Sequence, residues 1–408
     1  MTIHAQRRGF PIVALVGLVW LACGAGDWFM RFHWYRWQAT LVAGPAVETV
    51  GPFASMRTIE VPVRRGGDLS HLLGIPKVAA LFEDERPAMI ETSDEFGYRN
   101  HPPTATNNYS VVVTGSSFMN SGYPMTNILA SRLSRQLGVP VYNAAFPGRG
   151  PFIGLIRFLQ DERFVRNPPR VLVWGVVERE IGAHAFGGLL YQIELLVKHT
   201  IEARKQDSSI LWRNLRPGSL KTALPDSSAI AQLSRRIWTF IRYYVFGRMN
   251  PAVAASGPSW KGAPFLFYSA AVESLRWMPA QRIVPSVADD IAIVSDYLRA
   301  RGIALVMLLI PDKEQVYREF LPGVMLDEAN PIPPSCLDEL GERLRVKDVP
   351  VVSLLGPYRE GAGQGRLLYW RDDTHWNSEA IAMAAEAVSH VVEPLLAAQP
   401  AAPGSGAF

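Results

Sequence analysis

Five short runs of almost entirely apolar residues, rich in valine, isoleucine and leucine, recur along the chain between stretches with helical periodicity. The predicted strands are 110–115, 139–144, 170–177, 303–310 and 349–355, and the predicted helices are 127–137, 152–164, 291–300 and 377–396. Strands without polar alternation are buried on both faces, and their alternation with helices is typical of a parallel sheet covered by helices. The sequence therefore predicts an α/β fold whose functional sites gather at the carboxyl ends of the strands.

The composition indicates a folded enzyme-sized chain without a nucleic-acid partner. Hydrophobic residues make up 48% and charged residues 19% of 408 residues, so the chain can bury a large core. The net charge is only +4, and there is no long run of lysine or arginine. Nucleic-acid binding usually needs such a basic patch.

The N-terminus predicts export from the cytoplasm. Arg7 and Arg8 precede an uncharged apolar stretch, 9–26, that is just long enough to cross a bilayer. Positive charge before the stretch places the N-terminus inside, and the aromatic and basic cluster of 28–37 fits the outer interface. We expect 1–37 to be a signal anchor in the bacterial inner membrane, with the rest of the chain in the periplasm.

A cleaved signal peptide is the alternative, because Ala22, Gly24 and Ala25 are small. Cleavage would export the same part of the chain as an uncleaved anchor would.

The exported part contains a single cysteine, Cys336, so no disulfide can form within it. The eight histidines show no zinc-type spacing, and the sequence predicts neither a metal nor another cofactor.

The remaining chain is predicted to be one catalytic domain, 38–396, interrupted by a large helical insertion at about 182–285. That stretch is too long for an ordinary connection. It contains an aromatic and basic segment, 235–248, which fits a helix packed on the sheet, a helix on a membrane surface or a wall of a substrate groove. The Ala/Pro/Gly-rich end, 397–408, is predicted to be disordered.

An Asp-Asp-Thr-His sequence before the last helix carries the clearest chemistry. Alternate side chains of an extended loop share a face, so Asp373 can orient the imidazole of His375. Asp372 would need a turn to do so and is the second candidate. His375 would act as general base and acid. A solvated polar loop is the plainer account of such a sequence.

Two adjacent serines at the end of the first predicted strand are candidate nucleophiles. Gly115 allows a sharp turn before Ser116 and Ser117, and backbone N–H groups at the following helix start can stabilise an oxyanion. Gly148, in the loop after the second strand, is a further candidate donor. A helix N-cap and a tight turn are the plain alternatives. A serine, a histidine and an acid are what acyl transfer through a serine ester requires.

These segments, in this order, resemble the blocks of the SGNH (GDSL-like) hydrolase superfamily: 115–118, the Gly148 loop and 373–376. Three further segments resemble its polysaccharide O-acetyltransferase branch, the alginate-acetylation proteins and their relatives, and these are 178–180, 311–317 and 373–377. The resemblance spans about 94–395, apart from the insertion.

The resemblance implies a flavodoxin-like α/β/α sandwich with Ser117 as nucleophile and with Ser117 and Gly148 as oxyanion donors. It also implies acetyl exchange at a sugar hydroxyl, beside a membrane-bound O-acyltransferase that delivers the acetyl group. The residues it nominates for substrate binding are Glu178, Arg179 and Lys313. Trp370 and Trp376 flank the Asp-His loop, where they can stack on a sugar ring or belong to the core.

The chain departs from the family pattern in three ways. Ser116 replaces the aspartate of Gly-Asp-Ser, which the acetyltransferase branch tolerates. The asparagine of the third block is missing from 176–179. The serine precedes the Asp-His loop, as in ordinary SGNH hydrolases, whereas alginate-type proteins have the reverse order.

The sequence thus predicts a membrane-tethered periplasmic O-acetyltransferase that modifies a secreted polysaccharide through a Ser117–His375–Asp373 acyl-enzyme. Two alternatives stay open. The same residues can serve a carbohydrate esterase, or the chain can be a non-catalytic polysaccharide-binding subunit, since fold does not fix function.

Overall fold

A five-stranded parallel sheet forms the centre of the computed structural model. The structure describes residue 18, residues 21–26, parts of 51–82, and 89–398 except for 102–107, 148–149, 182–228, 249, 257–263, 281–282 and 326–330. The strands are β1 Thr58–Val61, β2 Met89–Thr92, β3 Val111–Gly115, β4 Val141–Asn143, β5 Val171–Val177, β6 Val253–Ala255, β7 Leu266–Tyr268, β8 Ala304–Ile310 and β9 Val351–Ser353.

The α-helices are α1 Asp68–Leu73, α2 Ser117–Asn120, α3 Leu129–Leu137, α4 Pro151–Gln160, α5 Glu162–Arg166, α6 Glu178–Ile181, α7 Ala229–Tyr244, α8 Ser269–Ala280, α9 Ile283–Arg299, α10 Lys313–Val316, α11 Leu337–Val346, α12 Leu355–Gly363 and α13 Ser378–Ala398. Short 3-10 turns lie at Met125–Asn127, Arg318–Phe320 and Gly323–Met325.

The order of the central sheet is β4-β3-β5-β8-β9, and every neighbouring pair is parallel. Numbered along the sheet's own strands, this is the 2-1-3-4-5 order of flavodoxin-like folds. The α/β prediction is therefore confirmed, and all five predicted strands are present with bounds within two residues. Every residue of β3 and β5 is buried, as expected for strands covered on both faces.

Two predicted helices differ from the structure. The predicted helix 152–164 is two helices, because Asp161 ends α4 and its side chain accepts the N–H of Arg163 to cap α5. Helix α9 begins eight residues before the predicted start at 291. Pro285 lies in the first turn of α9, where a missing N–H costs no hydrogen bond.

The C-terminal helix α13 closes the core. Asn377 caps this helix, since its side chain accepts the N–H groups of Glu379 and Ala380. By length and composition α13 would also pass as a membrane span. It packs against α3 and the sheet and buries Ile381 and Ala384, which makes it a core helix.

The chain divides into two compact units, 1–40 with 199–248, and 41–198 with 249–408. In the first, the described residues are 18, 21–26, which are mostly helical, and α7 with the turn after it. Most of the predicted anchor therefore lies outside the described residues, as does the predicted disordered tail beyond Ala398.

The second unit holds the sheet and also the end of the predicted insertion. Strand β7 donates the Leu266 N–H to the carbonyl of Arg371, and the Tyr268 N–H to the Glu314 carboxyl at 2.8 Å. The last part of the predicted insertion, from residue 249 onwards, thus belongs to the unit that contains the sheet.

Candidate active site

The candidate site lies at the carboxyl ends of β3, β5 and β8. Gly115 ends β3 with a φ of +143°, Ser116 is extended as the N-cap, and Ser117 opens α2. A Cβ at Gly115 would lie 2.5 Å from the carbonyl oxygen of Gly175, and its backbone conformation is also one that side chains disfavour. Only glycine fits where the chain turns from β3 into α2.

A second glycine lets α2 lie directly on the neighbouring strand. A Cβ on Gly175 in β5 would be 2.1 Å from the sulfur of Met119. Met119 is fully buried on that glycine, so α2 has a fixed height above the sheet. The position of Ser117, two residues earlier, follows from this packing.

The structure brings the three predicted catalytic side chains into one line. The Nε2 atom of His375 is 2.8 Å from the Oγ atom of Ser117, and its Nδ1 atom is 2.7 Å from Oδ1 of Asp373. The same carboxylate oxygen accepts the backbone N–H of His375 at 3.0 Å. Because one oxygen holds both the backbone and the ring, the imidazole has little freedom to rotate away from Ser117.

The protonation of His375 is set by competing effects. Burial acts to lower its pKa, but the carboxylates of Asp373 and Asp68 outweigh burial and the nearby Arg179, so the pKa lies above its ordinary value of 6.5. The side chain keeps 21% of its surface exposed. A substrate can therefore reach the imidazole and the Ser117 hydroxyl.

Asp372, the second candidate for the orienting acid, has a different role. Its side chain is fully buried and accepts the N–H of Gly67 and the hydroxyl of Ser70. Its carbonyl accepts the N–H of Leu69 at 3.2 Å. Asp372 thus anchors the start of α1 on the Asp-His loop. The alternative that Asp372 orients the imidazole of His375 was wrong, because its side chain points to α1.

Asp68, the first residue of α1, is a site residue that the sequence interpretation missed. Its Oδ2 atom is 3.6 Å from Nδ1 of His375, and its carboxylate accepts both the N–H and the hydroxyl of Thr374. Its own N–H donates to Oδ2 of Asp373 at 3.2 Å. No pattern in the irregular segment before residue 94 marked this aspartate, which reaches the loop from 305 residues away.

Lys313 holds the loop in place and has no surface for a substrate. Its Nζ atom donates to the carbonyls of Leu266, Trp370 and Arg371 at 2.7–2.8 Å and of Asp373 at 3.1 Å. The side chain is fully buried, and burial lowers its pKa to about 8. The prediction that Lys313 binds substrate was wrong, because its ammonium is engaged with the backbone of the loop.

The two tryptophans also belong to the core. Trp376 is fully buried and its indole N–H donates to the carbonyl of Phe118 at 2.9 Å and the hydroxyl of Ser121 at 2.7 Å. This ties the histidine loop to the serine helix. Trp370 is 9% exposed. Of the two alternatives for Trp370 and Trp376, packing in the core is therefore confirmed, and stacking on a sugar ring was wrong.

Glu178 and Arg179 differ in exposure although they are adjacent. Glu178 is buried and therefore cannot contact a polymer. Burial and the nearby Asp312 raise the pKa of its carboxyl to about 8. Arg179 pairs with Asp312 and keeps 19% of its side chain exposed. Its guanidinium lies 5.1 Å from the ring of Phe118, which is 4.7 Å from the ring of His375. Of the five nominated binding residues, Arg179 alone can meet a substrate.

The predicted oxyanion donors are placed only in part. The N–H of Ser117 belongs to the first turn of α2, where helices provide no internal acceptor. Gly148 lies outside the described residues.

Behind the serine helix is a polar brace that the sequence did not reveal. The Arg99 guanidinium is buried and donates to the carbonyls of Asn120 at 2.6 Å and Gly122 at 2.8 Å. The Asn143 side chain, at the end of β4, donates to Oδ1 of Asn120 at 3.1 Å. The segment 94–100, where the resemblance to the SGNH superfamily begins, thus fixes the end of α2 through Arg99.

Asp68, Asp373 and His375 form a group of possible metal ligands among the described residues, with donor atoms within 4.8 Å of one another. Both ring nitrogens of His375 already have hydrogen-bond partners, in Asp373 and Ser117. The donor set fits the movement of a proton from a hydroxyl better than coordination of a cation.

The comparison with known protein families agrees with this geometry. A family model described as an SGNH hydrolase-like domain, acetyltransferase AlgX, matches residues 33–178 and 265–405, more than half of the chain. The chain belongs to this family. The predicted resemblance to the SGNH superfamily and its alginate acetyltransferase branch is confirmed, and the part that the AlgX-family match leaves out overlaps the predicted insertion.

Individual relatives are similar over shorter stretches. A probable alginate O-acetylase AlgJ of Azotobacter vinelandii is 29% identical over 188 residues, which are 42% of this chain and 47% of that protein. The corresponding AlgJ protein of Pseudomonas syringae pv. tomato is 32% identical over 206 residues, 44% of this chain and 50% of the relative. An alginate biosynthesis protein AlgX of Pseudomonas putida is 33% identical over 67 residues, 16% and 13% of the two chains. This AlgX-family chain thus matches about half the length of the AlgJ relatives.

Proposed function

We propose that this chain is an O-acetyltransferase that places acetyl groups on hydroxyls of a secreted polysaccharide, with Ser117 as the nucleophile. The observation that carries the proposal is the continuous hydrogen-bonded line from Ser117 through His375 to Asp373, with contacts of 2.8 and 2.7 Å. Relatives named as probable alginate O-acetylases support the reaction class and the substrate class.

The first half-reaction forms the acyl-enzyme. Nε2 of His375 takes the proton from Ser117 as its Oγ attacks the carbonyl carbon of an acetyl donor. Asp373 stabilises the imidazolium that forms. The N–H of Ser117 donates to the oxyanion of the tetrahedral intermediate. The intermediate collapses when His375 returns the proton to the leaving oxygen, which leaves an acetyl ester on Ser117.

The second half-reaction regenerates the serine. A sugar hydroxyl loses its proton to His375 and attacks the acetyl carbonyl, and His375 then protonates Oγ of Ser117 as it leaves. Water in place of the sugar would give acetate, which is the esterase outcome. The acceptor therefore decides the reaction, and the same side chains serve both.

The cellular setting is part of the same proposal. The apolar segment 9–26 with Arg7 and Arg8 before it anchors the chain in the bacterial inner membrane, with the catalytic domain in the periplasm. A membrane-bound O-acyltransferase supplies the acetyl group on that side, and the polysaccharide is the acceptor.

The test uses the purified full chain with a chromogenic acetyl ester, a panel of acidic and neutral oligosaccharides, and mass spectrometry of the sugars. Acetylated sugar that disappears in Ser117→Ala is the expected result. Ser286→Ala is the matched control, since that serine is exposed in the first turn of α9 and its hydroxyl donates only to the carbonyl of Ile283. Acetate release that no sugar alters would replace the proposal with an esterase, and sugar acetylation that persists in Ser117→Ala would refute the catalytic assignment.

A further inference from the structure

Two carboxylates lie near the imidazole of the Asp-His loop, and the second comes from a distant segment. We propose that Asp68 is a positioning residue for the reaction, which acts on His375 together with Asp373. Its Oδ2 atom is 3.6 Å from Nδ1 of His375, against 2.7 Å for Oδ1 of Asp373. This inference rests on the proposed function, because it assigns Asp68 a role in the same proton transfer.

The geometry gives Asp68 two separable actions. Its carboxylate accepts the N–H of Thr374 at 2.8 Å and the Thr374 hydroxyl, which fixes the residue between the acid and the base of the loop. Its negative charge also lies beside the ring that becomes an imidazolium. The first action is mechanical and the second is electrostatic, so different substitutions can separate them.

The charges that face the imidazole have opposing effects. Asp373 and Asp68 favour the imidazolium, whereas Arg179 opposes it. Lys313 lies close enough to both aspartates for its pKa to respond to them. In turn, burial and the charge of Asp373 raise the pKa of Asp68, whereas His375 acts to lower it. Two carboxylates around one ring thus stabilise its protonated form more than Asp373 does alone.

The position of Asp68 also allows it to replace Asp373 in part. In Asp373→Asn the imidazole loses its closest anion, and in an isolated triad an asparagine at that position favours the wrong tautomer. Here Asp68 remains on the Nδ1 side of the ring. Activity in Asp373→Asn should therefore depend on Asp68, whereas activity in Ser117→Ala should be lost whatever occupies residue 68.

The experiment measures ester hydrolysis against pH for the full chain and for Asp68→Asn, Thr374→Val, Asp373→Asn and the Asp68→Asn/Asp373→Asn double variant. Asparagine at 68 can still accept the N–H of Thr374 but carries no charge. We expect Asp68→Asn to move the midpoint of the rising limb to lower pH, because the neutral imidazole is then favoured. Thr374→Val should leave that midpoint in place and lower only the rate.

In the Asp373→Asn background, we expect the second substitution to cost at least a further tenfold in rate. An unchanged midpoint in Asp68→Asn, or a double variant as active as Asp373→Asn, would overturn the role of Asp68. Those results leave the proposed function intact as long as Ser117→Ala is inactive. An active Ser117→Ala would instead refute the proposed function itself.

An independent observation concerns α7, in the part of the chain that the family match leaves out. Its second half and the turn after it expose large apolar side chains, and these are Ile237, Trp238, Phe240, Tyr244, Val245 and Phe246. On a helix Ile237, Phe240 and Tyr244 share one face. Such a row of aromatic and aliphatic groups in contact with water is typical of a surface that binds something apolar.

The charge of the surrounding sequence indicates what covers this face. The stretch 235–248 contains four arginines, Arg235, Arg236, Arg242 and Arg248. There is no acidic residue between Asp226 and Glu273. An apolar helix face within a sequence that carries only basic charge is a feature of helices that lie in the headgroup region of anionic bilayers. We infer that α7 lies on the surface of a bilayer that contains anionic phospholipid.

The test places single spin labels on the full chain in a Cys23→Ser background, where the remaining Cys336 is buried. Labels at Phe240→Cys and Tyr244→Cys report the apolar face, and Thr239→Cys reports the side of the helix away from that face, since successive residues are about 100° apart. Val346→Cys is the control, since that side chain is 84% exposed in the other unit. Accessibility to oxygen and to a water-soluble nickel complex is measured with phosphatidylglycerol-containing vesicles and with pure phosphatidylcholine vesicles.

With anionic vesicles we expect the labels at 240 and 244 to gain oxygen contact and lose nickel contact, with the label at 346 unchanged. Replacement of one arginine by glutamine should weaken binding to the anionic vesicles about fivefold, because each basic residue contributes about 1 kcal/mol at such a surface. Labels at 240 and 244 that keep nickel contact would show a solvated helix. Labels that stay immobile and equally shielded with and without vesicles would show a helix covered by protein. Either result would overturn the inference.

Discussion

Two groups of ionisable side chains lie at the same edge of the sheet and differ in their access to solvent. His375 and Asp373 are partly exposed beside Ser117, with side-chain exposures of 21% and 13%. Lys313 and Glu178, which follow the ends of β8 and β5, are fully or almost fully buried. The first group can meet a substrate, whereas the second can act only on the protein.

The difference shows that residue type and a place at a strand end do not by themselves make a binding residue. Lys313 uses its ammonium on four backbone carbonyls, three of them in the loop that carries His375. A buried ammonium would be very costly without such partners. The buried group thus builds the shape of the loop, and the exposed group performs the chemistry that we propose.

The largest expected effect is on activity, in the exposed group. His375→Ala should lower ester hydrolysis by about 10⁴- to 10⁶-fold, because the general base is removed. The free energy of unfolding should change by less than about 1 kcal/mol, since the ring is partly exposed. Enzyme assays and urea denaturation of the same preparations measure both. A variant that unfolds instead would place His375 with the buried group and break the comparison.

The next effect is on stability, in the buried group. Lys313→Met should reduce the free energy of unfolding by about 3–5 kcal/mol, because buried carbonyls lose their charged partner. Lys347→Met is the matched control. That lysine pairs with Asp289 on the surface and should cost no more than about 1 kcal/mol. Equal stability of the two variants would contradict the role assigned to Lys313.

The smallest effect is a change in how stability depends on pH. The pKa of Glu178 is raised to about 8 by burial and by Asp312, and that of Glu314 to about 7. A carboxyl whose pKa is higher in the folded state stabilises most below its unfolded pKa and loses that stability as pH rises through the folded pKa. The melting temperature of the natural chain should therefore fall between pH 5 and pH 8.

Glu178→Gln should make that fall shallower without removing it, because Glu314 still titrates. Thermal melts at pH 5, 6, 7 and 8 give the comparison, and staying at or below pH 8 limits the opposite contribution from Lys313. If the melting temperatures of the natural chain and of Glu178→Gln fell in parallel with pH, Glu178 would be charged at neutral pH and accessible to water.

Much of the sheet could be predicted from the sequence because its signal is local. Runs such as 171–177 and 304–310 are apolar throughout, and that pattern is produced by strands buried on both faces. The Asp373–His375 pairing was also predictable, since side chains two residues apart share a face of an extended loop. Ser117 was reached through Gly115 and the family resemblance.

The remaining features depend on contacts between distant segments, which no local pattern encodes. Asp68 lies 305 residues before Asp373 in the chain, and Met119 packs on Gly175 of the strand next to β3. The orientation of Asp372 towards α1 follows from the same long-range packing. The burial of Lys313 and Trp376 likewise comes from folding the loop back over α10 and α2.

Direct detection of the acyl-enzyme tests whether Ser117 carries the acetyl group. The full chain is mixed with an acetyl ester, quenched in acid, and digested for mass spectrometry of the peptide that contains 116 and 117. We expect one acetyl group on Ser117, absent from Ser117→Ala and present in Ser116→Ala. An acetyl group on another residue, or the same labelling in Ser117→Ala, would contradict this expectation.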